Sequence, residues 1–356
     1  MTTGNTVKTN TVKGNAIKTA IVGYGFSART FHIPFLETLA EFDLLAVSSS
    51  QGELVRQQLP DVSLYANAEA MLTDSDAELV IITAPNDVHF PLAKLALQCN
   101  KHVLLEKPFV TSVAQGEELI ALAAEKKRVL TVYQNRRWDG DFLTVKKLIA
   151  ENRLGNIRYY ESHFDRFRPQ VRQRWRETAA DGGGILYDLG PHLLDQALQL
   201  FGRPAALTAR CRAMRADAST TDFFHLLLDY ADKQVVLHAS PFCAGPNLRF
   251  QLQGDQGSYV KYGLDPQEDR LRAGVRPDHD HWGDEVAADF GTLYRAEGAA
   301  PVTTESGGYQ QFFRQLAAAI RRDQPPPVSA VEALWTIELI ELAIDSSRRG
   351  VTLALD

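Results

Sequence analysis

The stretch TAIVGYGFSA, Thr19–Ala28, decides the reading of the fold. Thr19–Val22 is a short apolar run of strand character, Gly23 ends it, and Ala28–Leu39 follows with helical spacing. Gly23 permits a tight turn, Gly25 lets the backbone approach a pyrophosphate, and Ala28 lets helix pack closely on strand. Phe26 and Ser27 complete the turn. This G-x-G-x-x-A pattern sets a phosphate at a helix N-terminus, where unpaired N–H groups and the helix dipole favour anions. Glycine turns are common, so the context has to carry the assignment.

That context is regular. LLAVSSS (Leu44–Ser50) is a second strand, followed by a helical stretch near Glu53–Gln58 and a short run at Val62–Tyr65. LVIIT (Leu79–Thr83) precedes a helix at Pro91–Gln98; HVLLE (His102–Glu106) precedes a helix at Val113–Lys126; RVLTVYQ (Arg128–Gln134) closes the series. Strands alternating with helices predict an α/β fold with a doubly wound parallel sheet of Rossmann type. Beyond Asp139 the pattern changes. A helix at Phe142–Glu151 is followed by partly alternating runs, IRYYESHFD (157–165), FFHLLLDY (223–230), QVVLHAS (234–240) and LRFQLQG (248–254). These predict an α+β domain with a large, mostly antiparallel open sheet. The Pro-rich loop Gln324–Val328 leads to an apolar-striped helix, Ala330–Ser347. The expected division is a polar, disordered tail over 1–17, a dinucleotide-binding domain over 18–138 and a substrate-binding and oligomerisation domain over 139–356.

A chain of 356 residues with 45% hydrophobic and 23% charged residues is long enough for two cores. Its net charge of -6 offers no basic surplus for nucleic acid, and no Lys/Arg run suits a membrane surface. The tail has Lys8 and Lys13 but no apolar stretch, unlike a signal peptide. Cys99, Cys211 and Cys243 stand far apart in no metal-ligand or disulfide spacing. A cytoplasmic setting is expected.

Two further stretches carry chemistry. Glu106 and Lys107 fall where the His102 strand must end, because Pro108 has no N–H for a ladder. Ligands gather at that edge of open α/β sheets. In DGGGILYDLGPHLLDQALQLFG (Asp181–Gly202), three glycines imply a bend or a close approach. Asp188, His192 and Asp195 then follow at spacings of four and three, which share a helix face. Pro191 is expected to distort the first turn. An aspartate four residues before a histidine can orient it for proton exchange near neutral pH; a helix-start aspartate and a buried, hydrogen-bonded histidine is the alternative. The end of the second strand reads Ser48, Ser49, Ser50, with no acid to accept from a ribose 2′-OH. This favours NADP(H), with NAD(H) possible, with Arg56 as a candidate phosphate partner and Glu53 as the residue that would reverse the preference.

Together GYGFSA, EKP and GGGILYDLGPHLLD resemble the Gfo/Idh/MocA oxidoreductase family in sequence and order, and TAPNDVH (Thr83–His89) looks like that family's nicotinamide-side loop. NRRWD (135–139), ESHFDRFRPQVR (161–172) and GSYVKYGLDPQE (257–268) look like a bacterial subgroup near the NADP-dependent scyllo-inositol dehydrogenases. The resemblance implies an NAD(P)-dependent dehydrogenase acting on a sugar or cyclitol hydroxyl. Lys107 would be the general acid/base, His192 would assist proton transfer, and Asp188 would hold substrate or orient His192. Glu106 would moderate Lys107 or cap the strand. Pro85, Asn86 and His89 would lie along the nicotinamide ribose. Trp175 and Arg176 would close over the cofactor, with packing the alternative for Trp175.

Smaller expectations complete the site. Gln134–Arg137 follow a strand end and should border the cleft, with Arg137 holding an anion or pairing with Asp139. His163 and Asp165 alternate on one strand face as cleft-lining substrate residues would. Tyr187 contacts substrate or is a buried tyrosine. No metal is expected. The partners expected are a small-molecule substrate and further copies of the chain, as a dimer or tetramer. The rival readings are a reductase of an imine, a keto-sugar or a tetrapyrrole on the same fold, and a nicotinamide-binding sensor without turnover.

Overall fold

The computed structural model describes residues 15–172, 177 and 182–355. Most of the segment read as a tail, residues 1–14, lies outside them, as do Trp175 and Arg176. The first strand takes in Ile17, the last residue of that segment, which is fully buried.

The first half of the chain runs β1 (Ile17–Val22), α1 (Ile33–Thr38), β2 (Phe42–Ser48), α2 (Gly52–Gln58), β3 (Ser63–Tyr65), α3 (Ala68–Asp74), β4 (Leu79–Ile82), α4 (His89–Gln98), β5 (His102–Leu105), α5 (Val113–Lys126) and β6 (Leu130–Val132). Its six strands pair in the order β3-β2-β1-β4-β5-β6, all parallel. All four residues of β4 are fully buried, as its continuous aliphatic run requires of a central strand. The strand order reverses between β1 and β4, and a crevice opens there beyond the carboxyl ends of the strands.

The first helix departs from the expected Ala28–Leu39. Ala28–His32 is a wide π-helical turn, in which Ile33 N–H bonds back to Ala28 O, and α1 proper is only Ile33–Thr38. Pro34 explains it, since a proline has no N–H to give the carbonyl four residues earlier. The small helix α3 was not expected; Asn67 caps it by accepting from Ala70 N–H.

The chain continues as α6 (Gly140–Ala150), β7 (Ile157–His163), α7 (Ile185–Phe201), β8 (Ala206–Arg212), β9 (Phe223–Asp229), β10 (Gln234–Ala239), β11 (Leu248–Gly254), β12 (Gly257–Tyr262), α8 (Gln267–Arg272), β13 (Gly291–Arg295), β14 (Gly298–Val302), α9 (Tyr309–Arg322), α10 (Ala330–Arg349) and β15 (Leu353–Ala354). Nine strands form a second sheet, β14-β13-β12-β11-β7-β10-β9-β8-β15, antiparallel throughout except for β7 beside β10. On β7 and the residue just past it, Tyr160, Ser162 and Phe164 are buried while Tyr159, Glu161 and His163 are only partly so. The buried set faces α7, where Tyr160 meets Phe201 and Phe164 meets His192.

The last two helices return to the first sheet. On α9, Phe313 stacks on Phe35 at 4.9 Å and meets Phe42 edge-on, and Phe312 meets Tyr133. Val328, just before α10, accepts from the Thr131 hydroxyl of β6. Aromatic packing by α9 thus fastens the second half of the chain to the first, and α10 lies against both β6 and β8. No described helix is long and apolar enough to cross a membrane.

Candidate functional site

A groove of about 550 Å3 lies where β1 and β4 diverge. Gly23 and Gly25 line it for different reasons. Gly23 has φ +94°, and a Cβ there would stand 2.8 Å from Thr83 Oγ1. A Cβ on Gly25 would meet nothing within 4 Å, so its missing side chain leaves space facing the groove rather than space that protein fills. Phe26 and Ser27 continue that wall, Ser48, Ser49 and Ser50 form the end at β2, and Pro85 and Asn86 close the opposite side. Neither Glu53 nor Arg56 is among the lining residues.

Glu106, at the end of β5, is a buried hub. His32 Nε2 lies 2.8 Å from Glu106 Oε1, Ser27 donates its hydroxyl to the same oxygen, and Lys107 N–H donates to Oε2. Burial alone would raise this carboxyl, but His32, Ser27 and Lys107 outweigh it and hold it down at about 2. The ionised carboxylate ties the glycine turn to the EKP segment. His32 had no sequence signal, because it reaches Glu106 only through the wide turn at Ala28–His32.

The Lys107 side chain stands at the junction of the groove with a second cavity of about 100 Å3. Its ammonium donates to both the carbonyl and the carboxylate of Asp188, at 2.7 and 2.8 Å. The proline does not break α7, which runs from Ile185 through Pro191 to Phe201. It supplies no N–H to the turn at Tyr187, and the next carbonyl along, that of Asp188, is the one that accepts from Lys107. His192, one turn on, lines the same cavity. Its Nδ1 is buried with no hydrogen-bond partner, so Asp188 holds Lys107 rather than His192. Burial, with Lys107 and Arg136 nearby, pushes the His192 pKa well below the usual histidine range.

The remaining candidates separate clearly. Asn86 lines the groove and donates to Gly182 O at 2.8 Å, fastening the glycine run to the loop after β4. Tyr187 borders the crevice beside Lys107 and Asp188. His89 does not reach the groove: it is fully buried, with Nδ1 2.9 Å from Pro108 O and Nε2 3.0 Å from Ala84 O. Burial keeps its pKa low, so as a neutral ring it donates to one carbonyl at a time and braces the loop.

His163 and Asp165 also lie away from the cleft. Strand alternation sends Phe164 toward His192, which puts residues 163 and 165 on the opposite, open face of the sheet. Of Gln134–Arg137, Asn135 and Arg136 border the cavity. Gln134 is buried, and Arg137 makes a bidentate pair with Asp195 at 2.6 and 2.8 Å, plus a contact with Glu332. Arg136 instead pairs with Asp139 and Glu268. Arg166 and Glu268 complete the cavity wall. Both lie inside longer motifs, and nothing local in the sequence aims them at Lys107.

Two family models account for most of the chain. The oxidoreductase-family NAD-binding Rossmann fold matches residues 17–134, and the oxidoreductase-family C-terminal alpha/beta domain matches residues 146–355. The chain belongs to the Gfo/Idh/MocA oxidoreductase family. Within this family it is 44% identical to the uncharacterized oxidoreductase YdgJ of Escherichia coli, over 95% of this chain and 99% of that one. It is 40% identical to scyllo-inositol 2-dehydrogenase (NADP(+)) IolW of Bacillus subtilis, over 97% of each. Among solved structures, yvaA of Bacillus subtilis superposes with a TM-score of 0.93 at 40% identity, covering 96% of this chain and 99% of that one. YPO2259 of Yersinia pestis gives a TM-score of 0.90 at 42% identity, covering 96% and 98%. This Gfo/Idh/MocA protein is thus an oxidoreductase with an NAD-binding Rossmann domain and a second, mostly antiparallel sheet.

Proposed function

We propose that the protein is an NADP(H)-preferring dehydrogenase that interconverts a hydroxyl and a carbonyl on a cyclitol or sugar, with Lys107 as general acid/base. The observation that carries this reading is the place of Lys107, which lines both the groove and the adjoining cavity. The name of the Bacillus subtilis relative, a scyllo-inositol 2-dehydrogenase using NADP(+), supports the substrate class and the cofactor.

The residues present fit a dinucleotide. The open space in front of Gly25 suits a pyrophosphate, Ser48–Ser50 suit the adenosine ribose, and Pro85, Asn86 and Lys107 border the end nearest the cavity. The serines can donate to a 2′-phosphate and bring no charge to repel it. When bound, the nicotinamide exchanges a hydride with the carbon that bears the hydroxyl.

The protein's own part is proton transfer and positioning. In oxidation Lys107 takes the hydroxyl proton; in reduction it returns one to the carbonyl oxygen. Both contacts to Asp188 survive loss of the ammonium proton, because a neutral amine keeps two N–H donors. The lysine therefore stays in place through the cycle. His192, neutral and buried, offers a fixed imidazole to a neighbouring substrate hydroxyl. Among the described residues, three cations, Lys107, Arg136 and Arg166, face three carboxylates, Glu106, Asp188 and Glu268, around the cavity. That balance suits a neutral polyhydroxylated ring better than an anion.

The three cysteines are unpaired, which supports a reducing, cytoplasmic setting, and we extend the reading to a homo-oligomer, to be tested by light scattering. The enzymatic reading is tested by following NADP+ and NAD+ reduction with inositols, aldoses and sugar acids. Turnover of a cyclitol or neutral sugar with NADP+ favoured is expected. No turnover across the panel, or turnover of sugar acids alone, would overturn the substrate class.

A further inference from the structure

The open face of the second sheet carries a cluster of imidazoles and carboxylates that the chemistry above does not use. Parallel pairing sets His238 of β10 opposite His163 of β7, and antiparallel pairing sets His225 of β9 opposite His238. Asp165 follows His163 by two residues and so shares its face. One ligand atom each from His163, Asp165 and His238 lies within 4.8 Å of the other two. We propose that His163, Asp165 and His238 bind a divalent first-row transition ion such as Zn2+, at a site separate from the cleft.

The donor set selects that class of ion. Two imidazoles and one carboxylate suit Zn2+, Co2+ or Ni2+, whereas Mg2+ and Ca2+ take oxygen ligands. Distances fit as well. Ligands about 2.0–2.1 Å from a tetrahedral ion stand roughly 3.3 Å apart. His238 Nε2 is 3.4 Å from Asp165 Oδ1 and His163 Nδ1 is 2.8 Å from Asp165 Oδ2, so the carboxylate turns one oxygen to each ring and must rotate, with the His163 contact opening by about 0.5 Å, for a single ion to take all three ligands.

The surroundings hold two of the three ligands, His163 and Asp165, as a metal site requires. Glu161 Oε1 lies 2.8 Å from His163 Nε2, the ring nitrogen turned away from Asp165. A carboxylate on the far nitrogen fixes the orientation of a metal-binding imidazole. Asp165 is pinned at both ends, its N–H donating to Asn247 Oδ1 and its Oδ1 accepting from Ser240 N–H. His238 lacks such a brace: with Nε2 toward Asp165, its far nitrogen Nδ1 is buried with no hydrogen-bond partner. Among the described residues neither Glu161 nor Asp165 pairs with a lysine or arginine; His163 lies 2.8 Å from both and is their cationic partner, a place a bound dication would take over. No local pattern in the sequence points to this cluster, because residues 163 and 238 meet only through strand pairing.

The test uses the full, tag-free chain, stripped with EDTA and then freed of it. Titration with CoCl2 should give visible d–d absorption that saturates at one ion per chain and is abolished by ZnCl2, and ZnCl2 should raise Tm. His163→Ala and His238→Ala should each weaken binding by at least about 100-fold, and Glu161→Gln by about 10–100-fold. MgCl2 should not compete. Each variant is first matched to the parent in metal-free circular dichroism and Tm; should a histidine variant fail to fold, Glu161→Gln decides. A spectrum of free aqueous Co2+ at one equivalent, or binding unchanged in the folded variants, would overturn the proposal.

Discussion

Lys107 Nζ donates to two oxygens of Asp188, the side-chain Oδ1 at 2.8 Å and the main-chain carbonyl at 2.7 Å. The two residues are 81 positions apart in sequence, so this contact joins the end of β5 to the first turn of α7. It fixes the lysine from a carbonyl that no side-chain change removes. Lys107→Ala should lower kcat by about 10^3-fold or more while leaving NADPH affinity, read by fluorescence, within a few-fold of the parent. Asp188→Asn keeps the carbonyl contact and should lose roughly 10–100-fold. Full turnover in the alanine variant would rule out the acid/base role.

The serine-lined end of the groove governs cofactor choice in the proposed reading. Ser49→Asp places a carboxylate where a 2′-phosphate would lie. It should shift the NADP+/NAD+ ratio of kcat/KM toward NAD+ by about 10-fold or more, equivalent to roughly 1.4 kcal/mol. An unchanged ratio would remove Ser49 from the recognition surface.

His32 and Glu106 form a buried pair, with His32 fully enclosed. His32→Leu leaves the carboxylate with Ser27 and a backbone N–H only. Breaking a buried pair by deleting one partner costs about 3–5 kcal/mol, and the surviving Ser27 contact puts the expectation at the lower end. Denaturant unfolding would show it. NADPH affinity should weaken too, because the glycine turn loses its brace.

Arg137 and Asp195 are structural in this fold. Arg137→Ala strands the 2%-exposed Asp195 without its bidentate partner, with an expected loss of about 3–5 kcal/mol. At a temperature where the variant remains folded, kcat and KM should match the parent. A selective rise in KM would return Arg137 to the substrate site.

His102 accepts from Val129 N–H through Nδ1, and burial, with Arg128 second, lowers its pKa to about 4. Below the ordinary histidine pKa the unfolded chain binds a proton that the folded chain refuses. This residue's contribution to stability is therefore complete above pH 6.5 and lost as pH falls from there toward 4. His102→Asn removes the term. Whatever the offset at pH 7.5, the Tm difference should move in the variant's favour as pH falls to 4.5; a constant difference would contradict the assignment.

Much of this protein was determined locally. The strand, glycine turn and helix at Thr19–Ala28, the alternation that follows, and the lysine stopped at a strand end by Pro108 are all short-range patterns, because periodicity and turn chemistry act over a few residues. The family itself was legible from three motifs in order. The tertiary structure decided which neighbours those residues meet. It gave Asp188 to Lys107 rather than to His192, turned His89 into the backbone, and paired Arg137 with Asp195 instead of an anion. Strand parity put His163 and Asp165 on the open face, since a side chain beside one that points into the cleft must point out of it. Register between strands far apart in the chain then brought His238 to them. Contacts across 58 to 81 residues depend on how elements pack, and no local pattern in the sequence records that.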